Sequence, residues 1–310
     1  MAPEMIKVWI PEAGSATLLA ALPDGMTADV WNGGEPLPDS ADEVEVIVLP
    51  PTGVPAERLR ELAGLPRLRV IQLMSAGAER AVPFAPPGVT LATARGGPDP
   101  SVAEWIVSVV LAQARQLPRF MAAQQAARWD FAFSRALAGQ TALIVGYGSI
   151  GAATEALLSP FGVTVERIAR RPRAGVSTMD DLPAALGRAD IVILLVPVTP
   201  ATRGLVDARF LGLMRDHALL VNAARGPVVD TDALLAELRS GRLRAAIDVT
   251  DPEPLPDGHP LWSAPGLLIT PHVAGATSLA LQRIQGIVRD QLARYAAGEP
   301  LHNVVGEQGY

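Results

Sequence analysis

The stretch Thr141-Ala142-Leu143-Ile144-Val145-Gly146-Tyr147-Gly148-Ser149-Ile150-Gly151 decides how the rest of the chain is read. A strand-length apolar run stops at glycine, and a helical pattern then continues through Leu158. The turn between them has the pattern G-x-G-x-x-G. In such a turn Gly146 permits the tight reversal, Gly148 lets backbone approach a pyrophosphate, and Gly151 lets the helix pack closely on the strand. The amide groups and dipole of the helix then face the phosphates. The unit therefore predicts a dinucleotide site. The competing reading is a plain strand-to-helix turn that happens to carry three glycines.

About 20 residues beyond such a turn, an acidic residue at the end of the next strand would bond a ribose 2′-hydroxyl. Here the chain reads Arg167-Ile168-Ala169-Arg170-Arg171-Pro172-Arg173. Ala169 stands where the acid would fall, with Arg170 and Arg171 beside it. Guanidinium forks suit a 2′-phosphate, so NADP is the preferred dinucleotide, with NAD the alternative. A solvated basic loop is the other reading of this run.

Working outward, strand-like runs recur at residues 6–10, 44–49, 68–73 and 89–93, with a helical pattern at 58–65. After the turn, further strands are predicted at 163–168, 191–196, 218–222, 245–249 and 267–270. The run at 191–196 is continuously apolar, as expected where both faces of a parallel sheet are covered. Helices are predicted at 232–240, stopping at Gly241, and at 277–297, stopping at Gly298. Alternating strands and helices imply an α/β chain of parallel βαβ units. Between the two series lies Arg95-Gly96-Gly97-Pro98-Asp99-Pro100, a linker by composition. Ser101 and Glu104 follow as a capping box for a long apolar helix reaching about Leu117, where Pro118 punctuates it.

At 310 residues the chain has room for about two domains. Its 49% hydrophobic and 19% charged residues suit a soluble globular protein. A net charge of −6 argues against general nucleic-acid binding. The absence of cysteine removes disulfides, thiolate nucleophiles and cysteine-ligated metals, so no metal site is expected and a cytoplasmic enzyme is the natural reading. The first residues lack the basic start and long apolar core of a signal peptide, and no run reaches a membrane-spanning length. Of the four histidines, His217, His259 and His302 sit in polar or terminal surroundings. His272 follows an apolar run and Pro271, which places it at the carboxyl end of a strand, where open parallel sheets bind ligands. A histidine there can act as general acid or base near neutral pH.

Four ordered segments carry a family resemblance. They are Leu194-Leu195-Val196-Pro197-Val198-Thr199-Pro200-Ala201-Thr202, the run Leu220-Val221-Asn222-Ala223-Ala224-Arg225-Gly226-Pro227-Val228-Val229-Asp230, the run Ala246-Ile247-Asp248-Val249-Thr250-Asp251-Pro252-Glu253-Pro254, and Thr270-Pro271-His272-Val273-Ala274-Gly275. In order and spacing they resemble the D-isomer-specific 2-hydroxyacid dehydrogenase family, of the glyoxylate/hydroxypyruvate reductase type. Ser75-Ala76-Gly77 and Ser101-Val102-Ala103-Glu104 extend the resemblance into the first third.

The resemblance implies two Rossmann-like, doubly wound parallel-sheet domains with a cleft between them. Residues 1–97 and 276–310 would form the substrate-binding domain and 98–275 the dinucleotide-binding domain. It implies a catalytic set of Arg225, which orients the substrate carboxylate or carbonyl, Glu253, which pairs with the histidine, and His272, which gives a proton as hydride reaches the carbonyl carbon. Ser149 and Ile150 would cover the pyrophosphate, Val196 and Pro197 would flank the adenosine, and Thr202, Ala223, Asp248 and Gly275 would surround the nicotinamide half. Ala76 and Gly77, with Arg225 and His272, would hold the substrate. The expected reaction is reduction of a small 2-keto acid to the D-2-hydroxy acid. The alternatives are a phosphoglycerate, formate or phosphite dehydrogenase relative, or a dinucleotide-sensing binding protein without turnover. The expected partners are the small acid and a second copy of the chain, with the apolar helix after Ser101 as the interface.

Overall fold

The computed structural model describes residues 5–12, 15–51 and 54–306. In chain order the elements are β1 (Ile6–Ile10), α1 (Ser15–Leu19), β2 (Met26–Val30), β3 (Val44–Leu49), α2 (Ala56–Glu61), β4 (Val70–Leu73), β5 (Thr90–Ala92), α3 (Asp99–Ala114), α4 (Leu117–Gln125) and β6 (Thr141–Val145). There follow α5 (Ser149–Leu158), β7 (Thr164–Ile168), α6 (Leu182–Leu186), β8 (Ile191–Leu194), α7 (Ala208–Leu213), β9 (Leu219–Asn222), α8 (Thr231–Arg239), β10 (Arg244–Ile247), β11 (Leu267–Ile269) and α9 (Ser278–Ala296). The chain divides into two units, residues 1–98 with 278–310, and residues 99–277. Among the described residues no helix is long and apolar enough to cross a membrane.

The first unit holds a parallel sheet in the order β2-β1-β3-β4-β5. Successive strand side chains point to opposite faces, so each strand feeds two cores. One face places Trp9, Ile47, Ile71 and Leu91 against Leu59 of α2. The other places Val8, Ile10, Val46 and Val48 against Leu18 of α1 and Ile284, Val288 and Leu292 of α9. Those α9 positions recur every four residues, the spacing of one helical face. Buried Gln291 adds polar ties from α9, bonding the Gln72 side chain at 3.0 Å and the His302 carbonyl at 2.8 Å.

The second unit holds a six-stranded parallel sheet in the order β11-β10-β9-β8-β6-β7. Leu143, Val145, Val192, Leu194 and Leu220 face α6, α7 and α8 through Leu186, Phe210 and Leu235. Ala142, Ile144, Ile191, Ile193 and Val221 face the opposite core, which includes Ile106 and Val110 of α3 and Leu158 of α5. The β8 run is buried on both sides, as its unbroken apolar sequence requires. Strand order reverses between β6 and β8, the switch point at which open α/β sheets bind ligands.

Two local readings are corrected. The long helix does not begin at Ser101: α3 starts at Asp99 and Ser101 lies in its first turn, with its hydroxyl 2.7 Å from that of Thr277. Pro100 suits that first turn because no amide is needed there, and no Ser101–Glu104 capping box forms. The helix also ends earlier, at Ala114. Gln116 adopts a left-handed conformation (φ 55°), and Pro118 opens α4 instead of closing α3. Most apolar residues of α3 are buried within their own unit, with Trp105 and Leu111 half-buried against the same core.

Candidate active site

The strand registers of the second unit align Ile168, Val145, Leu194, Asn222, Ile247 and Ile269 in one row across all six strands. This row marks the carboxyl edge of the sheet. The glycine turn, Arg170 and Arg171, Val196 and Pro197, Ala223 and Arg225, Asp248 and His272 all follow within a few residues of it, so one edge gathers segments spread over more than 120 residues of sequence.

Each glycine of the turn has a distinct surrounding. Gly146 has φ 98°, and a Cβ added there would lie 2.6 Å from the Leu195 carbonyl carbon, so the turn passes against the end of β8. Nothing lies within 4 Å of the Cβ position at Gly148, which leaves the outer side of the turn open. At Gly151 a Cβ would meet the Tyr147 ring at 3.0 Å and Ile144 at 3.2 Å. Gly148 supplies no side-chain cap to α5, so the first-turn amides, including those of Ser149 and Ile150, remain for a ligand. An open cradle at a helix N-terminus fits the diphosphate of a dinucleotide.

A cluster behind the turn escaped the sequence reading. The Tyr147 hydroxyl donates to Glu155 at 2.6 Å, and Arg167 donates to both oxygens of the same carboxylate. Arg173 donates to the Tyr147 carbonyl, and the guanidinium groups of Arg167 and Arg173 each lie 5.5 Å from the Tyr147 ring centre. The Arg167 hydrogen bond, helped by that of Tyr147, holds the Glu155 carboxyl below its ordinary range against the opposing effect of burial. The basic run is thus divided. Arg167 and Arg173 brace the turn, while Arg170 and Arg171 are exposed beyond β7.

Arg225 follows β9 on a segment stapled by buried Asn222, whose side chain accepts from the Ala224 amide at 3.0 Å and donates to the Arg225 carbonyl at 3.2 Å. The Arg225 guanidinium donates to the Ala224 carbonyl at 2.6 Å. Next to it, a Cβ on Gly226 would lie 1.8 Å from the Thr250 carbonyl oxygen, so this segment is pressed against the one leaving β10. Only glycine permits that approach.

His272 follows β11 in a left-handed conformation (φ 55°). Its Nδ1 lies 2.8 Å from Oε1 of Glu253, and the imidazole remains 45% exposed. With Nδ1 facing the carboxylate, Nε2 is the nitrogen left for exchanging a proton with a ligand. Asp248 is buried and holds the histidine loop: Oδ1 accepts from Thr270 Oγ1 at 2.5 Å and the Val273 amide at 2.9 Å, and Oδ2 accepts from the Ala274 amide at 2.8 Å. The carboxylate thus supports the segment that carries His272, on the sheet edge where the resemblance expects Asp248 beside a nicotinamide.

Of the other expected contacts, Thr202 closes its own loop, donating to the Pro197 carbonyl at 2.6 Å and accepting from the Thr199 amide at 2.8 Å. Val196 is buried and Pro197 exposed, and Ala223 and Gly275 are half-buried near the same edge. Ala76 and Gly77 belong to the first unit, in a turn after β4 where the Ser75 hydroxyl donates to the Gly77 carbonyl at 2.7 Å.

A parallel sheet with a glycine turn at its switch point and a His–Glu pair on its carboxyl edge is the arrangement of a nucleotide-dependent oxidoreductase. Residues 107–274 match the family described as D-isomer specific 2-hydroxyacid dehydrogenase, NAD binding domain. The chain belongs to that family of NAD(P)-dependent enzymes. It is 35% identical to the glyoxylate reductase of Thermofilum pendens over 76% of this chain and 74% of that one. It is 30% identical to the human glyoxylate reductase/hydroxypyruvate reductase over 94% of each. The matched stretch takes in 55% of an uncharacterized protein of Corynebacterium melassecola and 43% of the D-3-phosphoglycerate dehydrogenase of Methanocaldococcus jannaschii, about half the length of those relatives. A D-isomer specific 2-hydroxyacid dehydrogenase from Xanthobacter autotrophicus, solved with NADPH and MES, superposes with a TM-score of 0.84 at 31% identity, covering 99% of this chain and 100% of that one. An NADPH-dependent glyoxylate/hydroxypyruvate reductase from Sinorhizobium meliloti gives 0.83 at 25% identity, covering 98% and 99%.

Proposed function

We propose that this protein reduces a small 2-keto acid of the glyoxylate or hydroxypyruvate type to the D-2-hydroxy acid, with NADPH as the preferred reductant. The observation that carries the reading is the 2.8 Å pairing of His272 with Glu253, on the sheet edge that also bears the glycine turn and Arg225. Glu253 stabilises the imidazolium and orients the ring, and His272 then gives its proton to the carbonyl oxygen of the substrate. Arg225 binds the carboxylate or carbonyl through its planar fork. Ala76 and Gly77 are assigned as carboxylate-binding amides, and the turn at 146–151 as the diphosphate site. A bound nicotinamide supplies the hydride.

The NADP preference is supported by the exposed Arg170 and Arg171 beyond β7, and by the NADPH bound to the Xanthobacter relative. A steady-state rate matrix of glyoxylate, hydroxypyruvate, pyruvate and phenylpyruvate, each with NADH and NADPH, tests both points. Turnover should be greatest with one of the first two acids and NADPH. A strong NADH preference rejects the reading of the arginines, and no oxidation of either cofactor across the panel rejects the 2-keto acid assignment and favours a dinucleotide sensor.

We further infer a homodimer. Trp129, Phe131 and Phe133, in the stretch between α4 and β6, are 96%, 75% and 90% exposed. Such a cluster of exposed aromatics marks an interface. Sedimentation should show a dimer, converted to monomer by replacing the three aromatics with serine.

A further inference from the structure

The first unit contains an open hollow of about 810 Å³ between the segment after β5, one side of α9 and the chain at residues 302–303. Arg95, Arg283 and His302 line it. Elsewhere the guanidinium groups of Arg58, Arg67, Arg119, Arg167, Arg188 and Arg242 meet carboxylates. Among the described residues neither Arg95 nor Arg283 does. The one acid on the rim, Asp290, lies 3.3 Å from Nε of Arg294 and is partly neutralised.

The walls between the cations carry little side chain. Nothing lies within 4 Å of the Cβ positions of Gly96 and Gly286, so a ligand can reach the backbone there. The Asn303 side chain donates to the Arg95 carbonyl at 3.1 Å and ties two walls together. In a chain of net charge −6, this is a local concentration of positive charge around a concavity.

We propose that this hollow is a second, non-catalytic site for a small dianion, a charge type shared by phosphate esters and dicarboxylates. Two guanidinium forks and an imidazole match its oxygens. The site shares no residue with Arg225, Glu253 and His272, which lie in the other unit. Arg95 comes three residues before Pro98, where the first segment of its unit ends, and Arg283 five residues after Ser278, where the second begins. A bound dianion clasps these two segments and stabilises the unit they form.

The test is equilibrium dialysis of radiolabelled inorganic phosphate at constant ionic strength. The full chain is compared with the Arg95→Gln/Arg283→Gln double variant, with Arg225→Ala and with Arg170→Ala/Arg171→Ala. Phosphate should bind the full chain, and the double variant should bind at least about tenfold more weakly. Arg225→Ala and the Arg170/Arg171 variant should each keep the site. Displacement by malonate extends the ligand class to dicarboxylates, and failure to displace restricts it to phosphates. A phosphate-free thermal melt of the double variant that matches the full chain shows that folding is intact. Undiminished binding by the double variant overturns the proposal, as does loss of the bound phosphate in either control variant, or no binding up to about 50 mM.

Discussion

The amide of His272 donates to the carbonyl of Asp248 at 2.7 Å, while the Asp248 carboxylate accepts from the two amides that follow the histidine. The backbone on which the imidazole stands is therefore held by a buried acid 24 residues earlier in the chain. Asp248→Asn keeps the size but offers only one acceptor oxygen. A buried amide left without its partner costs about 1–3 kcal/mol. Stability measured by urea unfolding should fall by that amount, and kcat should fall with it. If Asp248 instead acts on the nicotinamide, the dissociation constant of NADPH moves more than kcat does.

The three glycines of the turn separate stability from binding. Gly146→Ala forces a Cβ into the Leu195 backbone at a position with φ 98°, and should destabilise the fold by roughly 2 kcal/mol or more. Gly148→Ala meets nothing within 4 Å. It should melt within a degree or two of the parent while binding NADPH at least about tenfold more weakly, because the methyl fills the cradle. Equal thermal losses in the two variants would contradict this division.

Gly226→Ala probes the support of Arg225. With 1.8 Å available between the added Cβ and the Thr250 oxygen, the backbone must shift. Overpacking of this kind costs about 1–3 kcal/mol. Turnover should drop together with the thermal midpoint, and kcat/KM for the 2-keto acid should drop further than cofactor affinity.

His272 and Glu253 should behave as one functional group. His272→Ala is expected to lower kcat by about 10²–10⁴ with NADPH binding largely kept. Glu253→Gln should cost less, and the double variant should be no slower than His272→Ala alone, since the carboxylate acts through the ring. Additive losses in the cycle, or parental turnover by His272→Ala, would dismiss the assignment.

Glu155 sets an acid limit on the brace behind the turn. Its carboxyl titrates below the ordinary value of 4.5 because Arg167 and Tyr147 bond the charged form. A carboxyl lowered by folding contributes stability that is present above its unfolded value and is lost as pH falls through its folded value. Glu155→Gln should thus be less stable than the parent by about 1 kcal/mol near neutrality. The gap should close as the pH is taken below 4.5, read from thermal midpoints across that range. A gap that persists at low pH would show that the brace does not depend on the charge of Glu155.

Periodicity and glycine placement determined the α/β architecture, the strand–turn–helix at 141–158 and the position of His272 at a strand end, because these are local properties of the backbone. The short apolar runs at residues 141–145, 191–194 and 219–222 become β6, β8 and β9, and Gly146 reverses the chain after the first of them. Motif order supplied Arg225, Glu253 and His272 as a set by resemblance, but not their geometry. The tertiary structure alone decided what depends on distant partners. Asp248 reaches residues 273 and 274, Gly226 is pressed on Thr250, and Arg167 leaves its basic neighbours for Glu155. The start of α3 belongs with these, since the Ser101 hydroxyl expected to cap it pairs with Thr277, 176 residues away. Each is a contact between segments joined only by neighbouring strands or packed helices, and residue spacing carries no distance across such a gap.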